Sequence, residues 1–261
     1  MARSQCGERD FLQRVRLGIR DPQDPLVRDS LEVIDRVLKH DLPQGPSWRR
    51  YNHDGYGQRE DGSAYDGTGV GRCWPILTGE RGHYELAAGR DPLPLIIAME
   101  KFANEGGMLP EQVWDGADLG KMTRGSPTGA AMPLCWAHAE YLTLVRSRHD
   151  GVCFDRIEEA HRRYVEHKVQ SSLEIWTLRH RLRHIKGGKT LRIITQAPAL
   201  VHWSVDTWQT TQDSETHDTG LGLCFIDLST GALPSDTRVS FTFYWTERHQ
   251  WEGADFEVVI Q

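Results

Sequence analysis

The chain has 261 residues, a hydrophobic fraction of 38% and a net charge of −6, enough for one large domain or two ordinary ones with real cores. The acidic balance argues against a nucleic acid partner, and the one basic run, Arg179 to Lys186, reads as a solvated linker or helix face. No apolar run reaches membrane-spanning length and the polar first residues hold no secretory core, so no membrane contact is expected, and a cytoplasmic location if Met1 is the true start.

Residues 8–18 read as a short helix. Residues 24–39 read as a second, capped by Asp24, with Pro25 in its first turn and Leu31, Ile34, Val37 and Leu38 as its apolar stripe. From Asp41 to Gly71 runs a loop dense in Gly, Pro, Asp, Tyr and Asn, too long and too aromatic to be a mere connector. Helices are expected over 72–88 (Gly89 ends it), 92–105, 128–147 and 154–166. After about residue 170 the composition shifts, and from Thr190 the apolar period changes from 3.6 to 2. Strands are expected near 191–194, 199–203, 221–226, 239–245 and 256–260, which together describe a small antiparallel β-sandwich. The domains are therefore expected as 1–169 and 187–261, joined by a linker over 170–186.

The most informative stretch is Gly107-Met108-Leu109-Pro110-Glu111-Gln112-Val113-Trp114-Asp115. Two glycines and a proline put Glu111 where a loop meets a helix. An acid, a hydrogen-bonding amide and a flat indole are what a sugar site needs: the acid moves protons, the amide bonds hydroxyls and the indole packs on the ring. The competing reading is a helix start whose acid simply favours the helix dipole.

The five cysteines lack zinc or redox spacing and read as reduced thiols in a reducing compartment. The twelve histidines show no HExxH or comparable pattern, so neither a catalytic metal nor any cofactor is expected. A structural calcium in the Asp-rich loop 54–66 lacks the full EF-hand spacing.

Four runs, taken together in order and spacing, resemble the C-terminal part of bacterial glucoamylase-type enzymes of glycoside hydrolase family 15. They are Gly45 to Gly57 (GPSWRRYNHDGYG), Trp74 to Leu86 (WPILTGERGHYEL), Gly107 to Asp115, and Pro133 to Tyr141 (PLCWAHAEY). The tail, through Val201-His202-Trp203-Ser204 and Asp218 to Leu223, also looks like the β-domain that follows the barrel in bacterial members. The resemblance implies a mainly α fold, the C-terminal half of an (α/α)6 toroid followed by the sandwich. It implies an inverting, exo-acting hydrolysis of α-glucans or maltooligosaccharides. Glu111 matches the family's general base and Arg50 its hydroxyl-gripping arginine. Tyr51 and Trp74 lie in runs that contribute to the glucose pocket, and Gln112 and Trp114 flank the base.

The family's general acid lies in the first half of the barrel, in an acidic, Trp-containing loop. No such stretch occurs here, and Glu80, Glu85, Glu100 and Glu140 do not replace it. The isolated chain is therefore expected to be weakly active or inactive, with its missing barrel half supplied by a longer chain or by a partner chain. The alternative is a non-catalytic carbohydrate-binding or scaffolding protein, with Trp203, Trp208, Trp245 and Trp251 of the β-domain either forming a sugar platform or filling the sandwich core.

Overall fold

A computed structural model describes residues 9–261. Cys6, the first residue of the expected helix 8–18 and the polar leader lie outside the described residues. The chain divides into two compact units, Met1–Val169 and Gln170–Gln261.

The first unit is helical. Helix α1 (Arg9–Arg16) is followed by α2 (Pro25–Leu38), a hairpin of β1 (Lys39–Leu42) and β2 (Gly45–Trp48), then α3 (Pro75–Ala87), α4 (Leu93–Phe102), α5 (Cys135–Asp150) and α6 (Glu158–His161), which runs on into a π-turn, Arg162–Glu166. Asp24 caps α2 by accepting from the Leu26 N–H at 2.9 Å, with Pro25 at the first turn. Its buried stripe is Val27, Leu31, Ile34 and Leu38. Val37 is exposed, so the stripe lies a turn further toward the N-terminus than the sequence indicated.

Helix α3 is the centre of this unit and packs against α1, α4 and α5. Nearly every residue from Pro75 to Tyr84 is buried. Its glycines permit that closeness: a Cβ on Gly79 would lie 2.5 Å from Glu140 Cγ and 3.0 Å from Met99 Sδ. Glu140, buried on α5, binds Arg16 at 2.7 Å and His83 Nδ1 at 2.8 Å. Burial pushes its carboxyl up, but His83 and Arg16 outweigh that and hold it below the usual range. Gly79→Ala is expected to cost about 1–3 kcal/mol by overpacking this contact. Chemical denaturation measures it, and an unchanged midpoint would show that α5 yields without cost.

Two helices differ from expectation. Helix α5 begins at Cys135 rather than at 128, because the preceding residues pair with the Glu111 stretch: the Thr128 N–H donates to the Gln112 carbonyl and the Glu111 N–H to the Ala131 carbonyl. Its buried face is Ala137, Glu140, Leu144 and Ser147, while Trp136, Leu142 and Val145 are exposed. The expected helix 154–166 shrinks to α6 and its π-turn, with no buried residue to hold a longer one.

The second unit holds β3 (Leu173–Thr177), β4 (His184–Ile185), β5 (Thr190–Thr195), β6 (Ala199–Ser204), β7 (Gln212–Glu215), β8 (His217–Asp218), β9 (Cys224–Ser229), β10 (Arg238–Trp245), β11 (Gln250–Trp251) and β12 (Phe256–Ile260). One sheet has the order β4-β12-β10-β6-β7, with β11 beside β10. The other is β3-β5-β9-β8. Strand pairs β3–β5 and β4–β12 are parallel and the remainder antiparallel. Alternate residues from both sheets fill one core, among them Trp176, Leu191, Ile193, Val201, Ile226, Phe241, Phe243 and Val258. Period 2 therefore does here what the sequence implied.

Residues 170–186 are not a linker. They belong to this unit, and Trp176 of β3 is 1% exposed, edge-on to Phe241 at 4.9 Å. Strand β9 begins at Cys224, because Gly220 and Gly222 take left-handed φ and Leu221 is left in solvent. No disulfide joins any of the described cysteines.

Candidate active site

Three stretches distant in sequence meet through the backbone. The Trp74 N–H donates to the Trp48 carbonyl at 2.9 Å, and the Val113 N–H to the Cys73 carbonyl at 2.9 Å. Bridges Trp48–Trp74, Cys73–Val113 and Val113–Pro127 thus set the ends of the hairpin, the entry to α3 and the Glu111 stretch side by side. Arg50, Trp74 and Glu111 each sit on one of those segments.

The Arg50 guanidinium grips Asp54 through both carboxylate oxygens, at 2.8 and 2.9 Å. It lies 4.8 Å from the Trp74 ring centre, 5.0 Å from Tyr56 and 5.3 Å from Tyr51. Burial pulls its pKa down, and the bonds to Asp54 more than restore it, so the cation is permanent. The Tyr56 hydroxyl stands 3.4 and 3.5 Å from the two Glu111 oxygens, a long hydrogen bond. Burial, then the Glu111 charge, raise the Tyr56 pKa, so this hydroxyl keeps its proton at neutral pH. Glu111 itself is 9% exposed and Tyr56 37%. The Trp74 indole N–H is buried and has no acceptor among the described residues. Next to this group, Tyr56, Tyr65, Gln112 and Ala131 line a hollow of about 310 Å³.

A second layer lies beneath. Asp115 accepts from Arg49 Nε and Nη2 at 2.7 and 3.0 Å and from Arg72 at 3.2 Å, with its side chain fully buried. Burial raises its pKa and Arg49 outweighs that, holding it below the usual carboxylate range. Arg72 also stacks on Trp114 at 3.9 Å and donates to the Gln58 and Arg59 carbonyls. His40, Cys73 and Asp115 place one donor atom each within 4.8 Å of one another. Two arginines already neutralise that carboxylate and supply the positive charge an ion would bring.

Of the residues singled out in the sequence, Glu111, Arg50, Tyr51 and Trp74 come together. Gln112 and Trp114 do not share that surface. Gln112 is 1% exposed: its Oε1 accepts from the Arg72 N–H at 3.1 Å and its Nε2 donates to the Tyr56 carbonyl at 3.2 Å. Trp114 is 2% exposed and donates to the Ala117 carbonyl. Gln112 is tied to the loop carrying Tyr56 and Trp114 lies under the Arg72 guanidinium, so both are set deeper than the other four. Tyr56, Asp54 and Asp115 were passed over in the sequence. The signal was Gly55-Tyr56-Gly57: a Cβ on Gly57 would sit 2.3 Å from the Val70 carbonyl oxygen, so the glycine is what lets this loop close.

A buried carboxylate beside a cation wrapped in aromatic rings, carried on a helical scaffold, marks the candidate site. The model of the glycosyl hydrolases family 15 matches residues 8–146, more than half of the chain, and the chain belongs to that family. It is 50% identical over 155 residues to a glucoamylase of Clostridium sp. (strain G0005), which covers 59% of this chain and 21% of that protein. It is 23% identical over 137 residues to a cycloisomaltooligosaccharide glucanotransferase of Niallia circulans, across 48% of this chain and 14% of the relative. Among solved structures it matches a bacterial glucoamylase in complex with acarbose, with a TM-score of 0.55 and 51% identity, over 59% of this chain and 22% of the other. The chain thus spans about a fifth of the length of the glucoamylases it matches.

Proposed function

We propose that this chain carries the general-base side of an inverting, exo-acting α-glucosidase that releases glucose from the non-reducing ends of α-glucans or maltooligosaccharides. The observation that supports this best is Glu111 facing the Tyr56 hydroxyl beside Arg50 and its three rings. In this reading the helical unit is the second half of an (α/α)6 toroid. Ionised Glu111 takes a proton from the attacking water, while an acid on the other side protonates the leaving oxygen. The two carboxyls then stand about 6.5–9.5 Å apart to admit the water. Arg50, already turned by Asp54, offers N–H donors to sugar hydroxyls, and the Trp74 ring backs its guanidinium.

The other carboxylates of this network do not supply the acid. Asp54 and Asp115 have both oxygens bound by arginines. Among the helix glutamates, Glu140 is held by Arg16 and His83, Glu85 by Arg81 and Arg90, Glu100 accepts from Tyr141, and Glu80 is buried on α3 beside a hollow it shares with Arg16, Glu140 and Asp155. The acid then comes from a segment outside these residues, in the same chain or a partner chain. The exposed Trp136, Leu142 and Val145 of α5 and Leu26, Val33 and Val37 of α2 suit packing against such a segment.

The test is glucose release from maltotetraose, by the chain alone and with the family's acid-bearing barrel half added, with NMR of the anomeric proton. β-Glucose from the combination, and little or none from the chain alone, is expected. α-Glucose as first product would refute inversion. In the same assay Arg50→Ala is expected to lower kcat/KM about ten- to a hundredfold, the worth of a charged hydrogen bond to sugar. Unchanged kinetics would put the arginine outside the pocket.

A further inference from the structure

Of the four runs singled out in the sequence, Pro133 to Tyr141 contributes no side chain to the candidate site. Its histidine nevertheless reaches the stretch that carries Glu111. His138 stands in the first turn of α5, and its Nε2 accepts from the Leu109 N–H at 3.0 Å. The same end of the helix holds the other side of that residue, because the Leu134 N–H donates to the Leu109 carbonyl at 2.8 Å. Two residues on, the Glu111 N–H donates to the Ala131 carbonyl at 2.8 Å. Pro110 between them has no N–H to give and a nearly fixed φ. The place of Leu109 is therefore passed to Glu111 with little slack.

Leu109 is also the first buried anchor on the way to Glu111. Before it the chain makes an exposed turn, in which Asn104 Oδ1 accepts from the Gly106 and Met108 N–H groups at 3.0 and 2.9 Å and Gly107 has a φ of 75°. Leu109 itself is 3% exposed and packs with Ala137 and Leu144 of α5, so its N–H needs a protein acceptor. A backbone N–H only donates, so the His138 Nε2 that faces it carries no proton and Nδ1 carries the one of the neutral ring. Nδ1 bonds to nothing among the described residues. The ring lines a hollow of about 210 Å³ with Glu100 and Tyr141, and those two bond to each other. On the far side of Glu111, the Val113 N–H is held by the Cys73 carbonyl. Glu111 thus hangs between one anchor on α5 and one at the entry to α3.

We propose that His138 is a positioning residue for the general base: through the Leu109 N–H, its neutral Nε2 fixes the stretch that presents the Glu111 carboxylate to the attacking water. This rests on the role proposed above for Glu111. A base must meet the water within hydrogen-bond reach, and a misplacement of about 1 Å can cost about 10²-fold in rate. The loss belongs to turnover rather than to sugar binding, because Arg50 and its rings stand on other segments, the end of the hairpin and the entry to α3.

The test compares His138→Gln with His138→Asn. The Gln amide oxygen can stand where Nε2 stood and accept from Leu109, whereas the Asn oxygen reaches only the place of Nδ1. With the acid-bearing barrel half added and maltotetraose as substrate, His138→Asn should lower kcat about ten- to a hundredfold while KM stays within about twofold. His138→Gln should return kcat to within about threefold of the parent. A thermal melt confirms that each variant is folded. On the unmodified chain alone, in mildly alkaline buffer, NMR of the imidazole nitrogens should show the Nδ1–H tautomer, a reading that needs neither a variant nor activity. A histidine that only supports the fold would lower the melting temperature of both variants and leave the kcat of the folded protein unchanged. That result, a rise in KM with kcat steady, a Gln variant no better than the Asn variant, or an Nε2–H tautomer would overturn the proposal. Glu111→Gln in the same assay tells the two failures apart. Full activity there removes the base itself, whereas full activity in His138→Asn with Glu111→Gln impaired removes only the part given to His138.

Discussion

Glu111→Gln, introduced into this chain and assayed together with the acid-bearing half, is expected to lower turnover of maltotetraose by about 10²–10⁴-fold. Sugar binding should stay within a few fold. The amide keeps the shape of the carboxylate and its reach to Tyr56, but it cannot take a proton from water. Because the loss is confined to the transition state, kcat and kcat/KM should fall together and KM should hardly move. Turnover near that of the unmodified chain would remove Glu111 from the chemistry. A fall in binding alone would make it a sugar contact rather than a base.

The largest expected effect on stability is at Asp115. Asp115→Asn removes the anion shared by Arg49 and Arg72, and Arg72 is 3% exposed. Leaving buried cations without their counter-charge costs about 3–5 kcal/mol. The same carboxylate gives a pH signature. Its folded pKa lies below the ordinary value, so its stabilisation is complete above the unfolded pKa of about 3.9 and is lost as pH falls through the folded pKa. Urea titrations at pH 7 and at several values below pH 4 should show the variant weaker at pH 7 and less sensitive to acid than the parent. Equal stability at pH 7, or an acid limb of unchanged slope, would show that the arginines are satisfied without it. Gln112 hangs on this layer through the Arg72 N–H, so the variant should also loosen the Tyr56 loop above Glu111.

Much of this protein could be read from residues alone, for a physical reason. Helix α2 carries its own cap, its own proline and a 3.6-period stripe, and all three are local. The strands of the second unit alternate in burial residue by residue, Thr190 to Thr195, Cys224 to Ser229 and Phe256 to Ile260 most regularly, because a two-sheet core enforces period 2. The motif runs put Glu111, Arg50, Tyr51 and Trp74 in one family pattern, and the backbone bridges bring the three stretches that carry them side by side.

What the sequence could not decide depends on partners far along the chain. Strand β3 exists because β5 runs parallel beside it, and five residues between polar stretches give no local sign of that. The start of α5 was lost to pairing between residues 128–131 and 111–112, which outbids helix propensity. In sequence Gln112 and Trp114 only flank the base; the structure buries Gln112 against the Tyr56 carbonyl and Trp114 under Arg72, and Tyr56 becomes a site residue only through the closure of its loop. The tryptophans of the sheet unit share one composition signal, yet pleat direction sends Trp203 and Trp245 to the core and β-turn strain sends Trp208 outward to meet Trp251. Local periodicity fixed which residues form each element. Which of them face a ligand was settled only by long-range packing, where one residue's exposure depends on another segment's path.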